Sequence, residues 1–412
     1  MTSLDYYKHF SGRNVPFGIA SGKNHPKPQV VTRLENSVVF LNDVPFIDAL
    51  LPPEDRGGVL FLQPTLNRLM GHPSQVHREI RQAVGRSFTG SSFEQFPENS
   101  LEVIGHVTMH LPFEIGDFID YSCSLEHVKN AGRIVVGDDS PPPGFFHFPV
   151  GYHGRASSVV VSGTDIERPV GQYRSSSGDS TVVTAPSARV DYELEFAAVV
   201  GKPLPRGKRL NATDADEHIF GFVLLNDWSA RDIQALEMKP LGPLNGKSFG
   251  TTISPWVITL DALQDFLDDA PPRQVPVPRY LQDPDNLTYS VRLKAEILSG
   301  DKATVVGEAD VQSMYWTTRQ MLAHTASGGA ALRTGDLLAT GTVSGAGERN
   351  KGCLLETTQG GKVPVKLQDG TERTYLEDGD VVRLTGIAGK GDEGVGFGEC
   401  VGKLVPSRPL EG

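Results

Sequence analysis

Apolar and polar residues alternate along Arg189–Val200 with the period of a strand that buries one face, and shorter apolar runs such as Phe220–Leu225 close on turn residues. Helical periodicity is scarcer. It predicts helices over Gln75–Val84, Ser229–Met238 and Thr317–Ala326, the last dense in the helix formers Gln320, Met321 and Leu322. Pro141–Gly144, Arg168–Ser180 and the proline- and aspartate-rich stretch Asp268–Asn286 read as loops. Strand signals dominate the remainder, so the pattern points to a mainly β protein. No tandem repeat is visible, which argues against a solenoid or propeller.

Composition narrows this picture. A chain of 412 residues is long enough for two to three domains, and its 45 glycines and 29 prolines are scattered as in a turn-rich folded protein. With 39 basic against 50 acidic residues the formal net charge is −11, which argues against binding nucleic acid or a membrane surface. The cysteines Cys123, Cys353 and Cys400 are odd in number and far apart, which fits a reducing compartment better than a disulfide framework. Met1 to Ala20 lacks the apolar core of a secretory signal, and no apolar run approaches a membrane span. The expectation is a soluble, cytoplasmic protein. The first 110 residues hold few ionisable clusters, whereas acidic pairs and a lysine loop follow Leu111. A boundary is therefore expected between a domain over 1–110 and a second over 111–412, with the chemistry in the second.

In Val190-Asp191-Tyr192-Glu193-Leu194-Glu195-Phe196 the strand period puts Asp191, Glu193 and Glu195 on one face, the two glutamates roughly 6.5–7 Å apart. One cation could bridge them, and a solvated strand face is the alternative. Phe220–Leu225 runs into Asn226-Asp227-Trp228, which sets a carboxylate at the end of a buried strand. Asp227 there is either a ligand or a turn aspartate. Asp120 closes the alternating stretch Ile115–Tyr121. Four carboxylates would form a hard, all-oxygen site suited to Ca²⁺ or Mg²⁺. Ser229 and Asp232 are spaced as a capping box, so a helix is expected directly after Asp227 with Arg231 and Gln234 on one face. Those two could aim donors at an oxygen near Asp227. The alternative pairs Arg231 with Asp232 or Glu237 on an exposed helix.

The stretch Gly242–Thr252 resembles two phosphate- and nucleophile-bearing motifs and fails both. It is one residue short of a P-loop with no helix after it, and Gly246-Lys247-Ser248-Phe249-Gly250 lacks the strand-turn-helix setting of a nucleophile elbow. Lys247 is better read as a fixed cation beside the carboxylates than Ser248 as a nucleophile. Gly389–Gly394 matches a dinucleotide fingerprint by letter alone and reads as a turn.

The blocks Leu111–Asp120, Pro149-Val150-Gly151-Tyr152-His153-Gly154-Arg155-Ala156-Ser157-Ser158, Asn226–Gln234 and Gly246–Trp256 closely resemble fumarylacetoacetases. The resemblance covers nearly the whole chain and is strongest over Leu111–Thr342. It implies a small N-terminal SH3-like barrel, a larger C-terminal mixed β-sandwich roll and a homodimer. The implied activity is metal-dependent hydrolysis of a carbon–carbon bond in a β-diketo acid, with Ca²⁺ and/or Mg²⁺ as cofactor. The implied metal ligands are Asp120, Glu193, Glu195 and Asp227, with a second cation near Asp227, Lys247 and Thr251. It further implies His127 as general base, Glu356 as its orienting carboxylate, and Arg231, Gln234 and Lys247 as oxyanion donors. Tyr152, Gln234 and Thr342 are implied substrate contacts. The chain departs from the family at Ser122 and Met238, where substrate-contacting tyrosines are expected, and at Val136, where an arginine is expected and Arg133 is the nearest cation. The implied substrate is 4-fumarylacetoacetate, hydrolysed to fumarate and acetoacetate in tyrosine and phenylalanine breakdown. The departures leave open a related acylpyruvate or diketo acid. A Ser248 hydrolase and a non-catalytic family member are the remaining alternatives.

Overall fold

The computed structural model describes residues 3–175 and 181–409. Its frame is three sheets, and the middle one decides where the chemistry sits. That sheet runs in the order Gly151–His153, Phe118–Tyr121, Leu337–Ala339, Leu194–Val200, Ile219–Asp227, Thr251–Ile253, Val159–Val161. Its two long central strands are buried on both faces, as a sheet covered on both sides requires. The alternation assigns each face to a core. Phe196, Ala198, Phe222 and Leu224 join the core shared with the C-terminal sheet, whereas Ala197, Val199, Val223 and Leu225 join the one shared with Phe17, Ile19 and Ile80.

The C-terminal sheet orders Lys302–Asp310, Val291–Ser299, Val381–Ala388, Val395–Val405 and Ile166–Glu167. On the opposite side lies a five-stranded antiparallel sheet, Leu101–Val103, Ser37–Phe40, Gln29–Leu34, Phe17–Ser21 and Thr108–His110, with the helix Ser74–Ser87. The architecture is mainly β, with a small N-terminal antiparallel unit and a larger C-terminal mixed assembly, as the resemblance implies.

Two predicted helices form, Ser74–Ser87 and Thr318–Ser327, the second starting in a capping box between Thr317 and Gln320. The third differs. Ser229 and Ala230 pair as a short strand with Val190-Asp191, so the helix is Arg231–Glu237 and Ala230 is its N-cap. The Ser229 hydroxyl instead donates to the Asp227 carbonyl, and Asp232 accepts from Ser187 Oγ and Ala188 N. The capping-box pattern is therefore not realised: strand pairing takes the Ser229 backbone, its hydroxyl turns back to Asp227, and Asp232 is held by Ser187 and Ala188.

The expected loop Arg168–Ser180 contains a strand. Val170–Arg174 pairs with Val182–Pro186 as a hairpin, and residues 176–180 of that loop lie outside the described residues. Asp268–Asn286 is mostly irregular, although Leu267–Asp269 pairs with Leu287–Tyr289. The N-terminal part is less bare of ionisable groups than expected, since His25 is buried between Asp43 and Glu102 at 3.0 Å each. Among the described residues no helix is long and apolar enough to cross a membrane.

Candidate active site

Strand direction gathers the acids. Phe118–Tyr121 is parallel to Leu337–Ala339, which is antiparallel to Leu194–Val200, itself antiparallel to Ile219–Asp227. Asp120 at a C-terminal end, Glu195 at an N-terminal end and Asp227 at a C-terminal end therefore meet at one edge of the sheet. Their parity matches too, because Asp120 follows Phe118, Glu195 precedes Ala197 and Asp227 follows Leu225, all on the face toward the N-terminal sheet. Glu193 joins them from a break in the strand, where its N–H donates to Asn226 Oδ1. Ligand atoms from all four carboxylates lie within 4.8 Å of one another, and all four residues are buried. The solvated-face alternative is thereby excluded.

The four are not equivalent. Lys247 Nζ lies 2.6 Å from both Glu193 Oε2 and Asp227 Oδ2, and Arg231 Nη1 donates to Glu193 Oε1 at 2.7 Å. Burial pushes the Glu193 carboxyl up, but Lys247 and Arg231 outweigh it and hold it well below the ordinary range. For Asp120 and Glu195 burial and the neighbouring carboxylates act together and raise both well above that range. Burial also raises Asp227 despite Lys247. Within the cluster the unpartnered atoms fall where positive charge is short: among the described residues Asp120 Oδ1 and both oxygens of Glu195 have no hydrogen-bond partner. Orphaned oxygens from a hard, all-carboxylate set fit a divalent cation.

Lys247 and Thr251, expected near a second cation, stand here as donors to Asp227, Thr251 Oγ1 at 3.2 Å. An ammonium has no lone pair to give, so Lys247 could ligate only through its backbone oxygen, whereas Thr251 could also offer its hydroxyl oxygen. Burial opposes the Lys247 charge, but Asp227 and Glu193 dominate and keep it protonated.

Arg231 and Gln234 share a helix face as expected, Nη1 reaching Gln234 Oε1 at 3.3 Å. Arg231 does not pair with Asp232 or Glu237. Its Nε and Nη2 donate to Asp191 Oδ2 at 2.9 and 2.8 Å. Asp191 thus leaves the strand face it was expected to share and holds a cation instead. It also accepts from Leu354 N and Leu355 N, the first N–H groups of the short helix Leu354–Thr357 that carries Glu356.

His127 lies in the first turn of Leu125–Val135, where Ser124 Oγ caps its N–H. Its Nδ1 is 2.9 Å from Glu356 Oε2. Glu356 is buried and further held by Asn130 Nδ2 at 2.8 Å and Ser344 Oγ at 2.7 Å. Burial works against its charge, but His127 and these donors lower its pKa on balance. An imidazole whose Nδ1 is fixed on a carboxylate presents Nε2 as the free base.

The expected substrate contacts are placed unevenly. Tyr152 pairs with Asp120 across the sheet edge and its hydroxyl donates to Asp227 Oδ2 at 3.2 Å. Thr342 is buried and its Oγ1 has no partner among the described residues. Ser122 follows the strand end, its N–H held by the Val150 carbonyl. Tyr121 does not replace the absent tyrosine, because it points to the other sheet face and bonds Thr325 and the Met321 carbonyl. Met238 is exposed at the end of the Arg231–Glu237 helix. Arg133 pairs with Asp139 on the surface and Val136 is exposed. Ser248 Oγ donates to the Leu244 carbonyl, so the His127 imidazole serves Glu356 and not a serine. Asn130 and Ser344 were missed by sequence reasoning, and Asp191 was assigned to the wrong partners. Asn130 alone left a trace, three residues after His127 on its helix face.

A cleft of about 390 Å³ opens beside this cluster, with Tyr152, Arg155, Leu244, Lys247 and Ser248 among its lining. Comparison with known proteins agrees with the geometry. The family profile described as fumarylacetoacetate (FAA) hydrolase C-terminal matches residues 118–405, and that described as fumarylacetoacetase N-terminal matches residues 13–112. The chain is 41% identical to the fumarylacetoacetase of Arabidopsis thaliana, covering 97% of each sequence. It is 40% identical to that of Rattus norvegicus and 39% to that of Homo sapiens, over 97% of this chain and 96% of each relative. Among solved structures, the fumarylacetoacetate hydrolase of Exiguobacterium antarcticum superposes with a TM-score of 0.53 at 17% identity, over 96% of this chain and 100% of that one. At that identity the likeness concerns the fold.

Proposed function

The chain belongs to the fumarylacetoacetate hydrolase family, and from that premise we propose that it hydrolyses 4-fumarylacetoacetate to fumarate and acetoacetate. The observation that carries the reading is the His127–Glu356 pair, 2.9 Å apart, beside a buried cluster of four carboxylates with unpartnered oxygens. Asp120, Glu193, Glu195 and Asp227 would hold Mg²⁺ or Ca²⁺, which when bound supplies a Lewis acid toward the oxygens of a 1,3-diketone.

The chain's own residues do the proton work. Glu356 fixes the His127 tautomer with the proton on Nδ1, and Nε2 removes a proton from water. The hydroxide adds to the carbonyl carbon of the fumaryl side. The carbon–carbon bond then breaks, its electron pair leaving as the acetoacetate enolate, which takes up a proton. Lys247 spends two of its three N–H groups on Glu193 and Asp227, which leaves one for the tetrahedral oxyanion. Gln234 accepts from Arg231 through Oε1, so its amide N–H groups remain for the same oxygen. Arg231 has most of its donors committed to Asp191, Glu193 and Gln234, and acts chiefly by fixing them.

Steady-state turnover of fumarylacetoacetate with and without added Mg²⁺ or Ca²⁺ tests this reading. Hydrolysis that chelation abolishes is expected, and absence of turnover on any diketo acid overturns it. A related acylpyruvate is the second reading. It is favoured by Ser122 and Met238, since Tyr121 is turned into the core and cannot supply the missing hydroxyl. The homodimer, the cytoplasmic setting and the division into 1–110 and 111–412 belong to the same proposal. Light scattering, fractionation and limited proteolysis check them in turn.

A further inference from the structure

The motif Tyr152–Ser158 places one side chain in the cluster and leaves another unexplained. Gly151–His153 pairs with the Asp120 strand, which sends Tyr152 to Asp227. The strand ends at Gly154, whose N–H bonds the Phe118 carbonyl and whose missing Cβ would strike the Phe118 ring. The chain then turns outward, and the Arg155 carbonyl accepts from both the N–H and the hydroxyl of Ser158. Arg155 is thus anchored by its backbone on the wall of the cleft that Tyr152 and Lys247 also line. Its side chain is exposed, and among the described residues it has no acid within ion-pair distance and no hydrogen bond.

Charge balance makes that notable. The other cations of the site are already matched, Lys247 by Glu193 and Asp227, and Arg231 by Asp191 and Glu193. Among the described residues no acidic side chain lines the cleft around Arg155. The position where the family's arginine is expected holds the exposed Val136, and Arg133 is engaged by Asp139. A fumaryl-acetoacetyl chain carries a carboxylate at each end, and the acidic cluster repels both. We infer that Arg155 receives the carboxylate of the substrate remote from the chelating diketone and so selects for diketo diacids. The inference rests on the hydrolase reading and adds to it a specificity residue. A guanidinium fits this role because its forked donors match a carboxylate and its charge persists at any working pH.

The test compares two substrates on the full chain: fumarylacetoacetate, and the analogue with a methyl group in place of the remote carboxylate. In Arg155→Gln the ratio of kcat/KM for diacid over methyl analogue should fall by about ten- to hundredfold, carried by KM, as for loss of one charge-assisted contact. Arg155→Lys should recover part of that ratio. Because the ratio cancels any change in the folded fraction, a ratio equal to that of the unsubstituted chain overturns the inference. If the unsubstituted chain turns over neither compound, the hydrolase reading falls and this one with it. If it turns over both and the ratio is insensitive to Arg155, only the inference falls.

Discussion

Asp191 Oδ2 lies 2.8 Å from Arg231 Nη2 and 2.9 Å from the N–H of Leu355, so one buried carboxylate joins the oxyanion-side helix to the helix carrying Glu356. Because it is fully enclosed, truncation leaves a guanidinium without its main counter-charge. Asp191→Ala should cost about 3–5 kcal/mol of stability by denaturant unfolding. Asp191→Asn keeps the shape and one acceptor. It should lower kcat more than tenfold while calorimetric titration still shows the divalent cation binding. Loss of cation binding in Asp191→Asn would place it among the ligands instead.

The unpartnered oxygens of Asp120 and Glu195 mark the cluster as short of positive charge. Mg²⁺ or Ca²⁺ at about a hundred times its Kd should therefore stabilise the protein by about 2.7 kcal/mol, read as a rise in Tm. Glu195→Gln removes one of the repelling charges. In scanning calorimetry it should melt higher than the unsubstituted chain without metal and show a much smaller rise with it. An undiminished metal response in Glu195→Gln would remove that residue from the proposed ligand set.

How much of this was legible follows from which signals are local. The period-2 pattern around Glu195 and the strand ends at Asp120 and Asp227 are local, and three-layer packing turned them into one buried cluster. Asp191 carried the same alternation as Glu193 and was misplaced by it. The strand breaks between Asp191 and Leu194, where Val190-Asp191 pairs with Ser229-Ala230 instead of continuing. That pairing is also why Ser229 failed as an N-cap. The partners of Glu356 were beyond reach for a different reason. Asn130 and Ser344 come from segments 226 and 12 residues away, and only the fold brings them together.

The hydroxyl of Ser248 is committed to the Leu244 carbonyl, while His127 is committed to Glu356. Ser248→Ala should therefore retain kcat within a few-fold, and His127→Ala should lose about 10³–10⁴ in kcat with metal content unchanged. Glu356→Gln should also lose at least 10², since the wrong tautomer of His127 would be favoured. Activity that survives chelation and vanishes in Ser248→Ala would restore the serine mechanism.

His77 sits inside the helix Ser74–Ser87, its Nε2–H donating to the Leu69 carbonyl at 2.7 Å and its ring edge-on to Phe220 at 4.8 Å. Burial lowers its pKa from 6.5 to about 4, the Leu69 carbonyl only partly opposing this. Between those values the unfolded chain binds a proton that the folded chain refuses, so stability rises with pH across that window and is lost as pH falls through it. At pH 5 the penalty amounts to about 1–2 kcal/mol relative to pH 7.5. His77→Gln keeps an amide donor for Leu69 but cannot titrate. Urea unfolding of this variant should show a pH 5 to 7.5 difference smaller by that amount, and an unchanged difference would mean that His77 takes up its proton in the folded state.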